Sequence, residues 1–427
     1  MGKRRTVLGL VILAALVSEL RGLGSAADAD WTQWGGPNRN FIADATGLAS
    51  SWPAEGPPRL WSRRLGEGHS AILAEGGRLY TMYRPLGLLS LVWRSREETV
   101  AALDAATGNT IWEFTYPAPT TGRDFAEGAG PHSTPLIVGN RLYALSSRNE
   151  LFALDKATGR LIWSHDFAKE YGASGNYRGA TCSPLSYKGT VIVVMEGGPG
   201  QAVAAFDQQT GALVWKAGDD SSPASPILID VDGQTQLVVL GGNQVFGFDP
   251  ATGRQLWSHP HKTQYGLNIS TPVWSAGSLF LSAAYGTGTR AVEVRQVAGK
   301  STVSERWAST RMRVHFGTVI GLDGYVYGSS GDFGPAFITA VDMKSGRIVW
   351  QDRTFARAQL IYADGKLIVL DEDGTLGLAT IESQGLKVLA RAPILTSVSW
   401  TPPTLAGTTL YVRDRKTIAA YNLSARR

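Results

Sequence analysis

The sequence predicts an all-β fold, an eight-bladed β-propeller of four-stranded antiparallel blades whose ring is closed by a strand from the N-terminal end. Three observations lead there. The pattern D-x-x-[TS]-G-x-x-x-W recurs along the chain, each copy sits in a unit of roughly 40 to 50 residues with turn-rich punctuation, and the last unit is one strand short.

The repeat is clearest at Asp104 to Trp112, and it returns at Asp155 to Trp163, Asp207 to Trp215, Asp249 to Trp257 and Asp342 to Trp350. Its aspartate ends an apolar strand, where the carboxylate can accept turn N–H groups, and its glycine supplies the positive φ of the reversal. The tryptophan then lies on the returning strand and fills the space between neighbouring sheets. Two copies are worn. In one, Arg295 replaces the aspartate and Gly299 precedes Trp307 by a longer hairpin; in the other, Ile381, Gly385 and Leu389 hold the three slots. Trp61 is a tryptophan strand without a hairpin before it. The docking slots are therefore Trp61, Trp112, Trp163, Trp215, Trp257, Trp307, Trp350 and Leu389, and eight slots mean eight blades.

Within a unit the strands are legible. His132 to Val138 reads as the innermost strand, Gly139-Asn140 as a turn, Arg141 to Leu145 as the second strand, Glu150 to Leu154 as the third and Arg160 to Trp163 as the fourth. After Leu389 only three strands remain, around Ser399 to Leu405, Thr409 to Arg413 and Thr417 to Asn422. The Trp61 strand completes that blade, which removes two free sheet edges at once.

Residues 1–29 have the layout of a signal peptide: Lys3, Arg4 and Arg5, the apolar stretch Thr6 to Val17, then small residues up to Ala29. The apolar stretch is too short to span a bilayer. Export to the periplasm or beyond, by the general secretory or the twin-arginine route, follows as the expectation, with residues 30–57 as an extension on the propeller and 58–427 as the propeller itself. The leader carries Lys3, Arg4, Arg5 and Arg21 against Glu19 and Asp28, which lowers the net charge from +5 to +3. No basic cluster with interleaved aromatics accompanies it, so nucleic acid is not a partner. A single cysteine, Cys182, excludes internal disulfides, CxxC metal knuckles and haem attachment. It sits in Thr181-Cys182-Ser183-Pro184 as a small buried residue.

The run Ala102-Leu103-Asp104-x-x-Thr107-Gly108-x-x-x-Trp112 resembles the tryptophan-docking repeat of the pyrroloquinoline-quinone (PQQ) propellers, and Asp30-Trp31-Thr32-Gln33-Trp34-Gly35-Gly36-Pro37-Asn38-Arg39 resembles the opening of exported bacterial proteins of that kind. The resemblance implies the propeller fold over the mature chain. It leaves activity open, because that superfamily holds quinoprotein alcohol and glucose dehydrogenases and also the non-catalytic propeller subunit of the outer-membrane barrel-assembly machinery. In the dehydrogenases a vicinal Cys-Cys stacks on the quinone, Glu and Asn side chains bind calcium, and an Asp is the base; here a Cys-Cys pair cannot exist. The assembly subunit carries a lipid-anchor cysteine, which has no counterpart near residue 29.

Aligning the units places His69, His132 and His315 at one equivalent position before the innermost strands of the first, second and sixth blades. The same rim gathers Glu67, Arg178, Asn268 and Arg313. Histidines and arginines around a concave mouth suit an organic carboxylate, so His69, His132, Arg178, Asn268, Arg313 and His315 form the candidate ligand site; the plain alternative is solvated polarity around a funnel. No catalytic residue and no metal site is assigned. No cofactor is required; PQQ is the one the resemblance would supply, and calcium only in its company.

The stretch Pro85 to Arg96 interrupts the first blade and is apolar where a surface loop is ordinarily polar. Leu88, Leu89, Leu91 and Trp93 are its candidate partner surface, a self-packed flap being the alternative. The sequence thus reads as an exported, monomeric propeller without a transmembrane anchor, binding an envelope protein as a scaffold, with a PQQ-dependent oxidoreductase or quinone-binding sensor as the other reading.

Overall fold

The computed structural model describes residues 30–86, 95–120, 128, 130–173, 178–332 and 334–425. The leader and the candidate surface Leu88, Leu89, Leu91 and Trp93 lie outside the described residues. Eight four-stranded sheets, all paired antiparallel, make eight blades: blade 1 (73–117), blade 2 (136–166), blade 3 (185–217), blade 4 (227–260), blade 5 (273–309), blade 6 (319–352), blade 7 (358–393) and blade 8. Blade 8 consists of Thr404–Ala406, Thr409–Arg413 and Thr417–Asn422, with Arg59–Arg64 as its outer strand. That outer strand pairs with the last strand of the chain, Ser62 opposite Ala419, so a ring of noncovalent blades is shut by both chain ends.

The turn motif shows why its residues recur. Asp104 Oδ1 accepts from the amides of Ala106 and Thr107 at 3.1 and 2.8 Å and from Thr107 Oγ1 at 2.8 Å. The Thr158, Thr210 and Ser345 copies repeat the bond. These bonds to the ionised form hold the Asp104, Asp155, Asp207 and Asp342 carboxyls below their usual range. The glycine has a second duty beyond its φ. A Cβ on Gly159 would land 2.5 Å from the indole of Trp112, which belongs to the preceding blade, and Gly108, Gly211, Gly253 and Gly346 are covered in the same way by Trp61, Trp163, Trp215 and Trp307. Each of those indoles also donates to a backbone carbonyl of the next blade's turn, for example Trp61 Nε1 to Ala105 O at 2.9 Å and Trp307 Nε1 to Met343 O at 2.9 Å.

The worn copies differ accordingly. Nothing approaches Gly299 or Gly385, so Trp257, the indole before the long hairpin, turns instead to Gln236 Oε1 of its own blade at 2.6 Å.

A second belt runs around the inside. Thr134, Ser183, Ser225 and Thr271 each precede a proline that stands just before an innermost strand, and the proline holds the preceding residue extended. The hydroxyls of the first three accept amide bonds from the previous blade, Ala71 N to Thr134 Oγ1 at 2.9 Å, Thr134 N to Ser183 Oγ at 3.0 Å and Ser183 N to Ser225 Oγ at 2.9 Å, while Thr271 Oγ1 accepts from Trp34 Nε1. The innermost strand of blade 2 is accordingly only Leu136–Val138, shorter than the sequence suggests, since Thr134 bonds across blades and not along a ladder.

Candidate functional site

The segments that lead into the innermost strands converge on a central cavity of about 470 Å³. His69, His132, Arg178 and His315 line it, as the alignment of the units expects. Asn268 does not. It is fully buried, and its Nδ2 donates to Gly241 O at 2.6 Å and to His261 O at 3.3 Å, tying two loops together; its neighbours Leu267 and Ile269 face the cavity instead. Arg313 also stands back from the lining, in an ion pair with Asp332 at 3.5 Å.

The sequence reading missed most of the rings. Trp400, Phe316 and Tyr285 complete an arc in which every ring touches the next. His132 and His69 stack at 5.3 Å and 8°, His69 meets Trp400 at 5.5 Å, Trp400 meets Phe316 at 4.7 Å, Phe316 meets His315 at 5.1 Å and His315 meets Tyr285 at 5.1 Å. Tyr285 Oη and His315 Nε2 are hydrogen-bonded at 3.1 Å. Trp34 and Thr271 lie on the same lining, 2.9 Å apart through Trp34 Nε1 and Thr271 Oγ1. The only signals in the sequence were single aromatic residues in the segments before strands.

The arc carries arginines, and beside it Glu372 accepts from Trp400 Nε1 at 2.9 Å and pairs with Arg357 at 3.8 Å. Arg415 lies over the Trp400 ring at 4.9 Å and Arg357 over Phe316 at 5.2 Å. Arg357 Nη2 donates to Asp332 O at 2.9 Å, while its buried Nε–H finds no acceptor among the described residues. Burial, together with Arg178, Arg415 and Arg84, lowers His132 to about 4; burial, with Arg357 and against Asp332, lowers His315 to about 4. Both imidazoles are therefore neutral at pH 7, and the arginines carry the positive charge. Asp332 is the carboxylate on the lining, and it is engaged by the Tyr285 amide at 3.1 Å and by Arg313.

This donor set can be weighed against the groups the resemblance implies. Ring faces and guanidinium groups fit a flat carboxylate such as PQQ. Calcium takes six to eight oxygen ligands, which one engaged carboxylate does not approach, and among the described residues no group of three or more His, Cys, Asp or Glu could hold a metal. Cys182 is remote from such chemistry: burial pushes its thiol up to about 12, and its Sγ rests 3.3 Å from Val194 O.

Comparison with known proteins extends the picture. The family model described as "Outer membrane protein assembly factor BamB" matches residues 96–352. The outer membrane protein assembly factor BamB of Yersinia pestis is 22% identical over 340 residues, which cover 79% of this chain and 72% of that protein. Among solved structures, BamB from Moraxella catarrhalis superposes with a TM-score of 0.58 at 18% identity over 87% of this chain and 99% of the other. The quinohemoprotein alcohol dehydrogenase from Comamonas testosteroni gives 0.62 at 15% identity over 95% and 82%. At such identities the solved structures speak for the fold alone, and no described helix is long and apolar enough to cross a membrane.

Proposed function

Because this chain belongs to the family of the outer membrane protein assembly factor BamB, we propose that it is a non-catalytic binding propeller of the cell envelope, exported to the periplasm or beyond, whose mouth holds an aromatic carboxylate. The observation that carries the binding role is the cavity itself: a continuous arc of six rings from blades 1, 2, 5, 6 and 8, with Arg178 and Arg357 on the same wall. Such a wall recognises shape and negative charge. It holds His132 and His315 neutral and Asp332 paired, so it is built to bind more than to move protons.

An envelope protein is the partner that the family favours, and the stretch 85–96 is where we place its docking. That stretch is rooted in a rigid base. Arg84 and Glu98 flank it in a buried ion pair of 2.7 Å, and Arg84 Nη1 donates to Ser95 O at 2.9 Å and Ala118 O at 2.8 Å. Glu98 is completed by the Tyr116 hydroxyl at 3.0 Å and the Ser147 amide at 3.1 Å. That bonded pair ties together the described residues on either side of the insertion.

The second reading, a PQQ-dependent oxidoreductase, is favoured by the fit of ring faces and arginines to a quinone carboxylate and disfavoured by the donor set for calcium. Reconstitution separates the two. Protein supplied with PQQ and calcium should oxidise neither alcohols nor sugars; turnover above a protein-free control would overturn the non-catalytic reading.

A further inference from the structure

Ring closure begins at Arg59, so the motif Trp31-Thr32-Gln33-Trp34-Gly35-Gly36-Pro37-Asn38-Arg39 has no part in it. The motif and the residues after it still hold the chain to the ring. Trp31 exchanges backbone bonds of 2.8 and 3.0 Å with Ala74 of blade 1, and Thr32 O accepts from Ile137 N of blade 2 at 2.8 Å. The buried Arg39 donates to Pro184 O at 2.9 Å and Ser183 O at 3.3 Å at the edge of blade 3. Phe41 and Ala43 bracket Tyr362 of blade 7 at 2.9 Å each, and Ala49 donates to Leu423 beside blade 8.

The backbone contacts with Ala74, Ile137 and Tyr362 fall within or toward the far ends of innermost strands, and that with Leu423 just beyond the far end of a blade 8 strand, whereas the Arg39 side chain reaches the residues just before the innermost strand of blade 3. His69, His132, Phe316 and Arg357, in contrast, precede the near ends. The segment thus crosses the ring on the side opposite the mouth. Between those ends, one of its side chains reaches the cavity: Trp34, held edge-on to Phe41 at 5.3 Å and bonded to Thr271 of blade 5. The chain is folded tightly to send it there. A Cβ on Gly35 would lie 2.8 Å from the Arg39 backbone, and Gly35 and Gly36 have φ of +74° and +79°.

We propose that residues 30–49 are a strap that completes the ligand site from below, and that Trp34 is a specificity-determining residue: it closes the central channel into a blind pocket and so limits how long an aromatic carboxylate the mouth accepts. The ligand class rests on the function proposed above. The floor does not, because it is a property of the channel itself.

Two measurements keep these apart. In the first, benzoate, naphthoate and anthracene carboxylate are titrated against the parent and against Trp34→Ala and Trp34→Phe. The parent should prefer the shorter acids, and Trp34→Ala should shift the preference toward anthracene carboxylate by roughly tenfold, the usual scale for opening a pocket by a side chain, with Trp34→Phe in between. Binding with an unchanged order in Trp34→Ala would overturn Trp34 as the floor while leaving the ligand class intact.

The second measurement needs no ligand. Ser225 lines the cavity, and the native Cys182 is fully buried with its thiol pushed up to about 12, so a Ser225→Cys thiol is the one a charged methanethiosulfonate reagent should reach. Its modification should be at least severalfold faster when Trp34→Ala is added, because the far end then opens. Equal rates would overturn the strap as a floor even if no arylcarboxylate binds; faster rates with no arylcarboxylate bound would leave the floor standing and sink the ligand class.

Discussion

At the scale of single residues, the turn glycine shows how one position can answer to two demands. Gly159 and Gly299 share a φ of +74°, but Gly159 lies under the Trp112 indole and Gly299 has nothing within 4 Å. Alanine at either site pays for left-handed backbone, about 1 kcal/mol. Gly159→Ala should cost roughly 1–3 kcal/mol more, because a Cβ at 2.5 Å forces the indole out of its seat. Urea denaturation of the two variants checks this, and equal losses would show that the indole yields freely. The histidines make a prediction of opposite character. Burial lowers His132 and His315 to about 4 and the fully buried His261 to about 3. A histidine lowered in this way binds its proton more readily in the unfolded chain, whose imidazole titrates near 6.5. Stability is therefore full above pH 6.5, declines as pH falls toward 4 and stops declining below the folded values. Melting curves from pH 7 to pH 3 should show that decline, and His132→Asn should flatten it. A midpoint independent of pH over that interval would mean that the imidazoles are wetter than their burial implies.

At the scale of the element, the hairpin and its tryptophan were legible because the information is local. Asp104, Thr107 and Gly108 lie within one turn, and the bonds of the Asp104 carboxylate and of the Gly108 amide close within four residues. The worn hairpins were legible as departures, and the structure gives them a physical meaning: Gly299 and Gly385 are uncovered, and Trp257 is bonded within its own blade. What pairs across blades was not legible. Arg357, Trp400 and Phe316 come from segments far apart in the chain, and no period relates them, so nothing in the sequence says that their rings and charges meet. Asn268 fails for the complementary reason. Its position in the repeat is right, but its side chain is spent on Gly241 and His261 carbonyls. Seat quality should be measurable blade by blade. Trp112, buried and seated on Gly159 with its Nε1 bonded to Lys156 O at 3.1 Å, should cost about 3–5 kcal/mol when replaced by alanine. Leu389→Ala, at the worn slot, should cost less, about 2–3 kcal/mol. Chemical denaturation of both variants checks the order, and a reversed order would contradict the view that the indole joins the blades.

At the scale of the whole molecule, closure and the site depend on the same arrangement. Arg413 of blade 8 is fully buried and donates to Met82 O at 2.8 Å, to Thr81 Oγ1 at 3.2 Å, and to Ser70 O and Gly66 O at 3.3 and 3.2 Å, all in or before blade 1. Gly66 and Ser70 flank the segment that carries His69, so the seam of the ring also sets one wall of the cavity. Closed in this way, the ring brings together side chains from five blades that no single repeat contains, and the binding role proposed here stands or falls with that wall. The most direct test is calorimetric titration of naphthoate into the parent protein and into Arg178→Ala, Arg357→Ala and, as a control at an exposed turn, Arg160→Ala. The account predicts saturable binding to one site, weakened in each of the first two variants by about 1.5–3 kcal/mol, the value of a hydrogen bond to a charged group, and unchanged in the third. Absence of binding to the parent, or equal affinity in all four proteins, would contradict it.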